Sequence, residues 1–380
     1  MKKVKIIYRV LLALGIMVVL QVSDYFITNA SYPLLDSLDS VMVYDYFTKN
    51  HRPEDEEILY LDVAHDKKLV PAIDEWGDTI GVTPITNRKI LADFLQLIKD
   101  EPYRHIFLDI RFEEGTQSED DSLLFATLSG MRNLNFSNHR GIETFVPDSL
   151  LNKSGYSDYR GNFRDGFTRY EIIQDNKPSS ALKIYSDLDS SYMKKSGPLY
   201  FDNGKLSYNM IFVPLYLNDT RYEGIKGEEK FHYLGFRMKN MPEELKEMAK
   251  DRIIVIGDFE NDTHQTYIGD VPGPLLAVRA YQAMNKGIHH FSWVCFSIIS
   301  AVYFLILFFL LGNYDLNDKI CKLLRIKSKT LVFILSFIGW GFILGTVKLT
   351  LYAIFGFAFV AWLPALVFSS ISMINEYRKT

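Results

Sequence analysis

Carboxylates recur in this chain where short apolar runs stop. Asp62 and Asp66 follow "ILYL", Asp109 closes "HIFL", and Asp258 and Asp262 follow "IIVIG", with His65 and His264 beside two of these loops. In open parallel sheets, ligands are met beyond the carboxyl ends of the strands, so carboxylates and imidazoles placed there suit a cation or a small polar molecule. The same residue types also close loops and cap helices, which is the competing reading. A second acidic group, Glu113, Glu114, Glu119, Asp120 and Asp121, has the oxygen density of a calcium-type site, or equally the charge favoured in the first turn of a helix. Asp165-Gly166 reads as a turn, and Arg169 just beyond it either pairs with an acidic loop or does not.

Chemistry of other kinds is missing. The chain carries no G-x-S-x-G elbow, H-E-x-x-H pair, P-loop or kinase signature, and "IGDFEND" lacks the glycines that let a backbone approach pyrophosphate. We therefore expect no enzyme, no catalytic residue, no metal and no cofactor.

The elements that must position the carboxylates alternate. Ile58 to Val63 is short and β-rich, and the polar residues after it read as a loop. "TNRKILADFLQLIKD" has apolar residues at helical spacing, with Thr86 as its expected N-cap. "HIFLDI" reads as a second strand, and Ser118 with Asp121 forms a capping-box pattern that starts a second helix. This order predicts βαβ units, hence an α/β fold with a mixed or parallel sheet flanked by helices. Residues from about 135 to 240 are rich in Asn, Ser, Gly and Tyr and read as a peripheral insertion, with strands at "GPLYFDNG" and "YNMIFVPLYL" and a helix at "PSSALKIYSDL". "MPEELKEMAKDRIIVIGDF" then reads as a helix with Pro242 in its first turn, leading into a last strand.

The rest of the chain is membrane sequence. An apolar stretch near the N-terminus and the uncharged stretches Gly287 to Tyr314, Thr330 to Val347 and Leu349 to Asn375 predict four transmembrane helices, one before the domain and three after it. Lys348 marks the expected turn between the last two. Lys2, Lys3, Lys5 and Arg9, the basic loop at 315–329 and the tail Arg378-Lys379 place both termini in the cytoplasm, by the excess of Lys and Arg in inner loops. The expected division is a tip and anchor at 1–27, an extracytoplasmic domain at 28–286, three helices at 287–375 and a tail at 376–380. Residues 28–286 hold about 30 basic and 42 acidic residues, a net charge near -12 that speaks against nucleic acid and anionic lipid as the domain's ligand. Cys295 and Cys321 both lie outside that domain, so it has no cysteine for a disulfide or a metal site. Gly341 and Gly345 form a G-x-x-x-G pair able to seat a helix, Pro364 is placed to kink the last span, and Trp293 and Trp362 are either interfacial anchors or packing residues.

In order, these segments resemble the bacterial extracellular sensory domains called CHASE, the second type in particular. "ILYLDVAHDKKL" is similar to the family's first strand with its acidic end, and "FLDIRFEEGTQSEDDSLLFATL" to its "FDI-x-F" strand and acidic helix start. "GNFRDGFTRYEI" resembles its "DG-x-x-R" turn, "PSSALKIY" its "PS-x-A" helix, and "IIVIGDFENDTHQTYIGDVPGPLLAVRAYQ" its closing segment. The resemblance covers about 35–287 together with the spans. It departs at Ala64 and His65, where acidic residues are usual, and at "YIGDVPG", where "TP-x-G" is usual. Relatives typically continue into a cyclase or kinase, whereas this chain ends at "NEYRKT". The resemblance implies a bilayer-anchored sensor that takes an unidentified small-molecule or cation ligand and signals to a separate output protein, with homo-oligomerisation open and nucleic acid excluded. The alternative is an envelope-assembly protein whose ectodomain is only an interaction surface.

Overall fold

The computed structural model describes residues 2–29, 57–159, 169–216, 219, 230–266, 268–312, 328–355 and 361–377. The expected Asp165-Gly166 turn lies outside them. The chain divides into two units, Pro33–His289 and, separately, Met1–Tyr32 with His290–Thr380.

In the larger unit the elements run β1 (Ile58–Asp62), α2 (Arg88–Ile98), β2 (His105–Asp109), α3 (Asp121–Gly130), β3 (Leu134–Asn138), β4 (Ser154–Tyr156), α4 (Ser180–Asp189), β5 (Phe231–Tyr233), α5 (Leu234–Asn240), α6 (Pro242–Ala249), β6 (Ile253–Gly257) and α7 (Gly273–Asn285), α1 being the N-terminal helix described below. The six strands form one sheet in the order β5-β1-β6-β2-β3-β4, and every neighbouring pair is parallel. The sheet is thus parallel, not mixed.

Why these runs become central strands follows from their two faces. Leu59, Leu61, Ile106, Leu108, Ile254 and Ile256 point into one apolar layer with α2, α3 and α6. Tyr60, Phe107, Ile253 and Val255 point into the other with α4 and α7. A strand buried on both sides must be apolar at successive positions, which is how "ILYL", "HIFL" and "IIVI" read.

Three local expectations change. The N-cap of α2 is Asn87, whose Oδ1 accepts from Lys89 and Ile90, while Thr86 ends a strand. The polar stretch after β1 is not a loop but an antiparallel hairpin, Lys67–Ile73 with Thr79–Thr86, joined by an Asp74 turn and Gly77 at φ +86. The region 135–240 is only partly peripheral. It holds small antiparallel pieces such as Met193–Ser196, Leu199–Asp202 and Lys205–Ser207, but also β3, β4 and β5 of the main sheet. Its polar composition hid β3, whose Asn135 and Ser137 are buried and hydrogen-bonded.

One buried ion pair ties the insertion to the last helix. Arg279 on α7 and Asp219 are both fully buried; Nε donates to Oδ2 at 3.0 Å and Nη2 to Oδ1 at 2.6 Å, and Lys230 Nζ adds a third bond at 3.0 Å. Burial works to raise the Asp219 carboxyl, but Arg279 and Lys230 outweigh it and hold it down to about 2.

In the other unit, α1 (Lys2–Asn29), α8 (Trp293–Leu310) and α9 (Lys329–Phe355) are long and apolar enough to cross a membrane. Gln21 Nε2 of α1 donates to Ser300 Oγ of α8 at 3.3 Å, and Trp340 of α9 and Tyr303 of α8 meet Phe368 edge-on. The expected turn at Lys348 is absent: α9 continues through it to Phe355, and Lys348 is buried. The last helix, α10 (Trp362–Tyr377), is apolar only over Trp362–Asn375, short of the roughly 20 residues of a straight span. Pro364 sits in its first turn, where a missing N–H costs nothing, and so begins the helix and does not kink it. Gly341 faces open space, with no helix seated on it, while Gly345 is buried.

Replacing Asp219 by Asn leaves Arg279 buried without its counter-charge and should cost about 3–5 kcal/mol, read as a large drop in melting temperature, whereas an apolar pair at both positions should recover most of the loss.

Candidate functional site

The register of the central strands sets the site. Asp62, Gly257 and Asp109 are partners across β1, β6 and β2, so the three strands end level with one another. From there β1 and β2 lead to α2 and α3 on one face, while β6 leads to α7 on the other. Adjacent strands whose connections depart to opposite faces leave a crevice between them. Here it is a cleft of about 370 Å³, walled by the hairpin through Lys67, Thr83, Ile85 and Thr86 and floored by Arg88, Asp109, Glu113, Asp258 and Asp262.

Asp109 is the acid at its centre. It borders the cleft and is half-buried. Burial first, and then the Asp262 carboxylate, raise it to about 6, against Ser137, His139 and His264, which lower it. A line of hydroxyls explains where its proton goes. Asp109 meets Ser137 Oγ; Ser137 meets Ser157 Oγ at 2.8 Å; Ser157 meets Ser180 Oγ at 2.7 Å; Ser180 donates to the Gly155 carbonyl at 3.0 Å. Four contacts share only three hydroxyl protons, so an ionised Asp109 leaves one oxygen pair without a proton, and a protonated Asp109 completes the line. Ser180 opens α4, so the acid is wired to that helix through β3 and the turn after β4.

Asp262 and His264 complete the acidic side. They approach at 3.4 Å, and a Cβ on Gly273, the first residue of α7, would meet the Asp262 carboxylate at 2.7 Å and the His264 ring at 3.1 Å. Tyr159 lies edge-on to His264 at 4.6 Å and donates to the Gly273 carbonyl at 2.9 Å. Gly257 is just as confined: a Cβ there would meet Pro274 at 2.5 Å and Asp109 at 3.2 Å.

The other expected site residues are placed differently. Asp258 lines the cleft but is committed, accepting from Lys67 Nζ at 2.8 Å and from the Asn261 backbone at 2.8 Å. Burial raises its carboxyl, and these bonds outweigh it and leave it low. Asp62 is fully buried and turned away from the cleft, holding the backbone N–H groups of Ala64 and Phe259, which ties the end of β1 to the loop after β6. His65 is mostly exposed beside Glu260 and Tyr233. Asp66 caps α5 through the Gly235 N–H at 2.8 Å, where a Cβ on Gly235 would collide with it; burial raises this carboxyl. Arg169 is buried in a two-stranded piece, opposite Phe212, and does not line the cleft.

The acidic run after β2 is filled by the protein's own cations. Lys68 bonds Glu119 at 2.7 Å and Asp120 at 2.8 Å, and the buried Arg88 lies 3.4 Å from Asp121. Asp121 reaches back to the Ser118 N–H, the capping-box half that the spacing promised. The end of this run starts a helix, and its Glu119, Asp120 and Asp121 face Lys68 and Arg88.

Sequence reasoning missed Lys67, Arg88, Ser137 and Tyr159. A signal existed for Arg88: a cation in the first turn of a helix opposes the helix dipole and asks for a compensating partner. It finds the Phe112 ring at 4.5 Å, Asp121, and the Arg111 carbonyl at 2.8 Å; burial lowers its guanidinium to about 10.

Since the folded state keeps the Asp109 proton to higher pH than the unfolded chain, the contribution of this group is full below about pH 4 and is lost as the pH rises towards 6. Asp109→Asn, whose amide donates to Ser137 at every pH, should flatten that decline and raise stability near pH 7.5 by about 1–3 kcal/mol in thermal melts; a lower melting temperature there would overturn the proton count.

Against known families, the CHASE2 domain model matches residues 12–313, and the chain belongs to that family of extracellular sensory domains. No curated protein and no solved structure matches it.

Proposed function

From this CHASE2 membership we propose that the chain is a membrane-anchored sensor whose cleft at the ends of β1, β6 and β2 binds a small cationic ligand and passes the change to a partner protein through its membrane helices. One observation carries the ligand class: Asp109 and Asp262 face one cleft, their charges oppose each other, and the cleft's Lys67 is already committed to Asp258. A cation relieves that repulsion, and it competes with the proton on Asp109. The route to the membrane is covalent. α7 starts at the cleft with Gly273 and Pro274, and only Lys286–Ser292 separate its end from α8.

In this reading residues 28–286 lie outside the cytoplasm, with both termini and the basic loop at 315–329 inside, and α10 acts with the residues before it as a fourth span. The ligand must bind one arrangement of the domain better than the other, since equal affinity shifts nothing. A second reading, an ectodomain that only docks to a partner, is favoured by the exposed apolar face of the hairpin at Lys67–Thr86.

Thermal shift on the full chain in nanodiscs separates the two. Screened with divalent metal salts and small amines, the sensor reading expects at least one to raise the melting temperature near pH 7.5 and far less near pH 5, by the equivalent of about 2.7 kcal/mol at a hundredfold excess over Kd. Asp109→Asn with Asp262→Asn should abolish the shift. No shift from any compound, with co-purifying proteins and downstream responses unchanged in that double variant, leaves only the docking reading.

A further inference from the structure

The hairpin that walls the cleft has a second face. Val70 and Ile85 are buried against the domain, so the alternate positions Leu69, Pro71 and Val82 point outward, with Pro84 between that side and the cleft, which it lines together with Thr83 and Ile85. On that outer side Leu69 pairs with Pro84 and Pro71 with Val82, and a bulge at Ala72/Ile73 brings in Ile80 near the tip. Leu69 is 67% exposed, Ile80 70%, Val82 67%, and Trp76 at the turn 81%. These side chains with Ile73 expose about 600 Å² of apolar surface by ordinary side-chain areas, the upper end of what a monomer leaves open.

We infer that this hairpin face is an interface between two copies of the chain, packed face to face and antiparallel about a twofold axis. Two observations carry the inference. Covering the patch on itself buries about 1,200 Å² in total, the lower limit for a specific, stable pair, and a twofold contact needs only this one patch on each copy. Asp74, Glu75 and Asp78 stand around Trp76 at the tip of the hairpin. The same acids around Trp76 oppose insertion into an anionic lipid surface.

The contact uses the face and not the edge. Proline cannot serve in a hydrogen-bonded pair of an antiparallel ladder, so Pro71 and Pro84, two steps apart in register, both sit where the backbone N–H would point outward. Each edge therefore lacks a donor for strand addition. The tip is held in advance: Asp74 Oδ1 accepts from the Trp76 and Asp78 N–H groups, and Gly77 N–H donates to the Asp74 carbonyl at 3.1 Å. An exposed Trp fixed on a rigid turn has little conformational freedom to lose on contact, as interface hot spots require.

The test uses the full chain with Cys295 and Cys321 replaced by Ser. Val82→Cys, on the face, should cross-link to a dimer through a short bismaleimide, at least tenfold more than Lys194→Cys on the separate three-stranded piece, and should gain protection from a water-soluble maleimide as protein concentration rises. Trp76→Ala with Ile80→Ser should reduce the cross-link at least fivefold while the melting temperature holds, because neither side chain is in a core. Leu69→Glu is the second disrupting variant should the first lower the melting temperature. Cross-linking of Val82→Cys no greater than the control, or indifferent to both disrupting changes, overturns the interface. Protection in nanodiscs that is absent in detergent and independent of protein concentration assigns the face to lipid and overturns it equally. No ligand enters the test, so its failure is distinct from failure of the cleft reading.

Discussion

Burial of the central strands on both faces is the constraint from which the rest follows. β1, β6 and β2 have no side left for a polar group, so their polar chemistry is confined to the ends. Because their registers coincide, those ends fall level, and an acid at the close of one strand lies near an acid in the loop of the next. The helices then decide which end is open. With α2 and α3 on one face and α7 on the other, the crevice needs no dedicated element beyond the hairpin that walls it.

Not every acid at such an end is free to act, and the difference lies in donors. Asp62 receives two backbone N–H groups and Asp66 one, so these two carboxylates are used up in closing turns. Asp258 has Lys67. Among the described residues Asp109 has the hydroxyl of Ser137, which is itself shared with Ser157. A half-buried carboxyl with few donors and a second carboxylate nearby keeps its proton longer than its neighbours do.

Much of this was legible in the chain. The apolar runs at Ile58, His105 and Ile253 gave the central strands because burial on both faces leaves a strong composition signal, and the helical spacing after Asn87 gave α2. What could not be read is telling. β3, "LNFSN", looks like a loop because Asn135 pairs with His105 and Ser137 joins the hydroxyl line, contacts that only the fold creates. The hairpin at Lys67–Thr86 was hidden because its outer face is apolar without being core, so neither alternation nor burial marked it as polar-out. Acids that face a cleft and acids that close turns share residue types, and the placement of backbone N–H groups separates Asp109 from Asp62.

The two glycines at the cleft show how occupancy there bears on α7. Gly257 ends β6 with Pro274 and Asp109 pressed against the place of its missing Cβ, and Gly273 begins α7 with Asp262 and His264 pressed against its own. The first turn of the helix is therefore packed on Asp262 through Gly273, and on Gly257, beside Asp109, through Pro274. Interiors packed this closely respond to a change in one contact by repacking between discrete arrangements and not by gradual yielding. In the proposed sensor reading, a ligand held by Asp109 and Asp262 bears on the seat of Gly273 and Pro274, while the Arg279–Asp219 pair further along α7 holds the body of the helix to the domain. In that reading a change at the cleft is met first by this turn of α7, and the chain beyond Asn285 leads into α8.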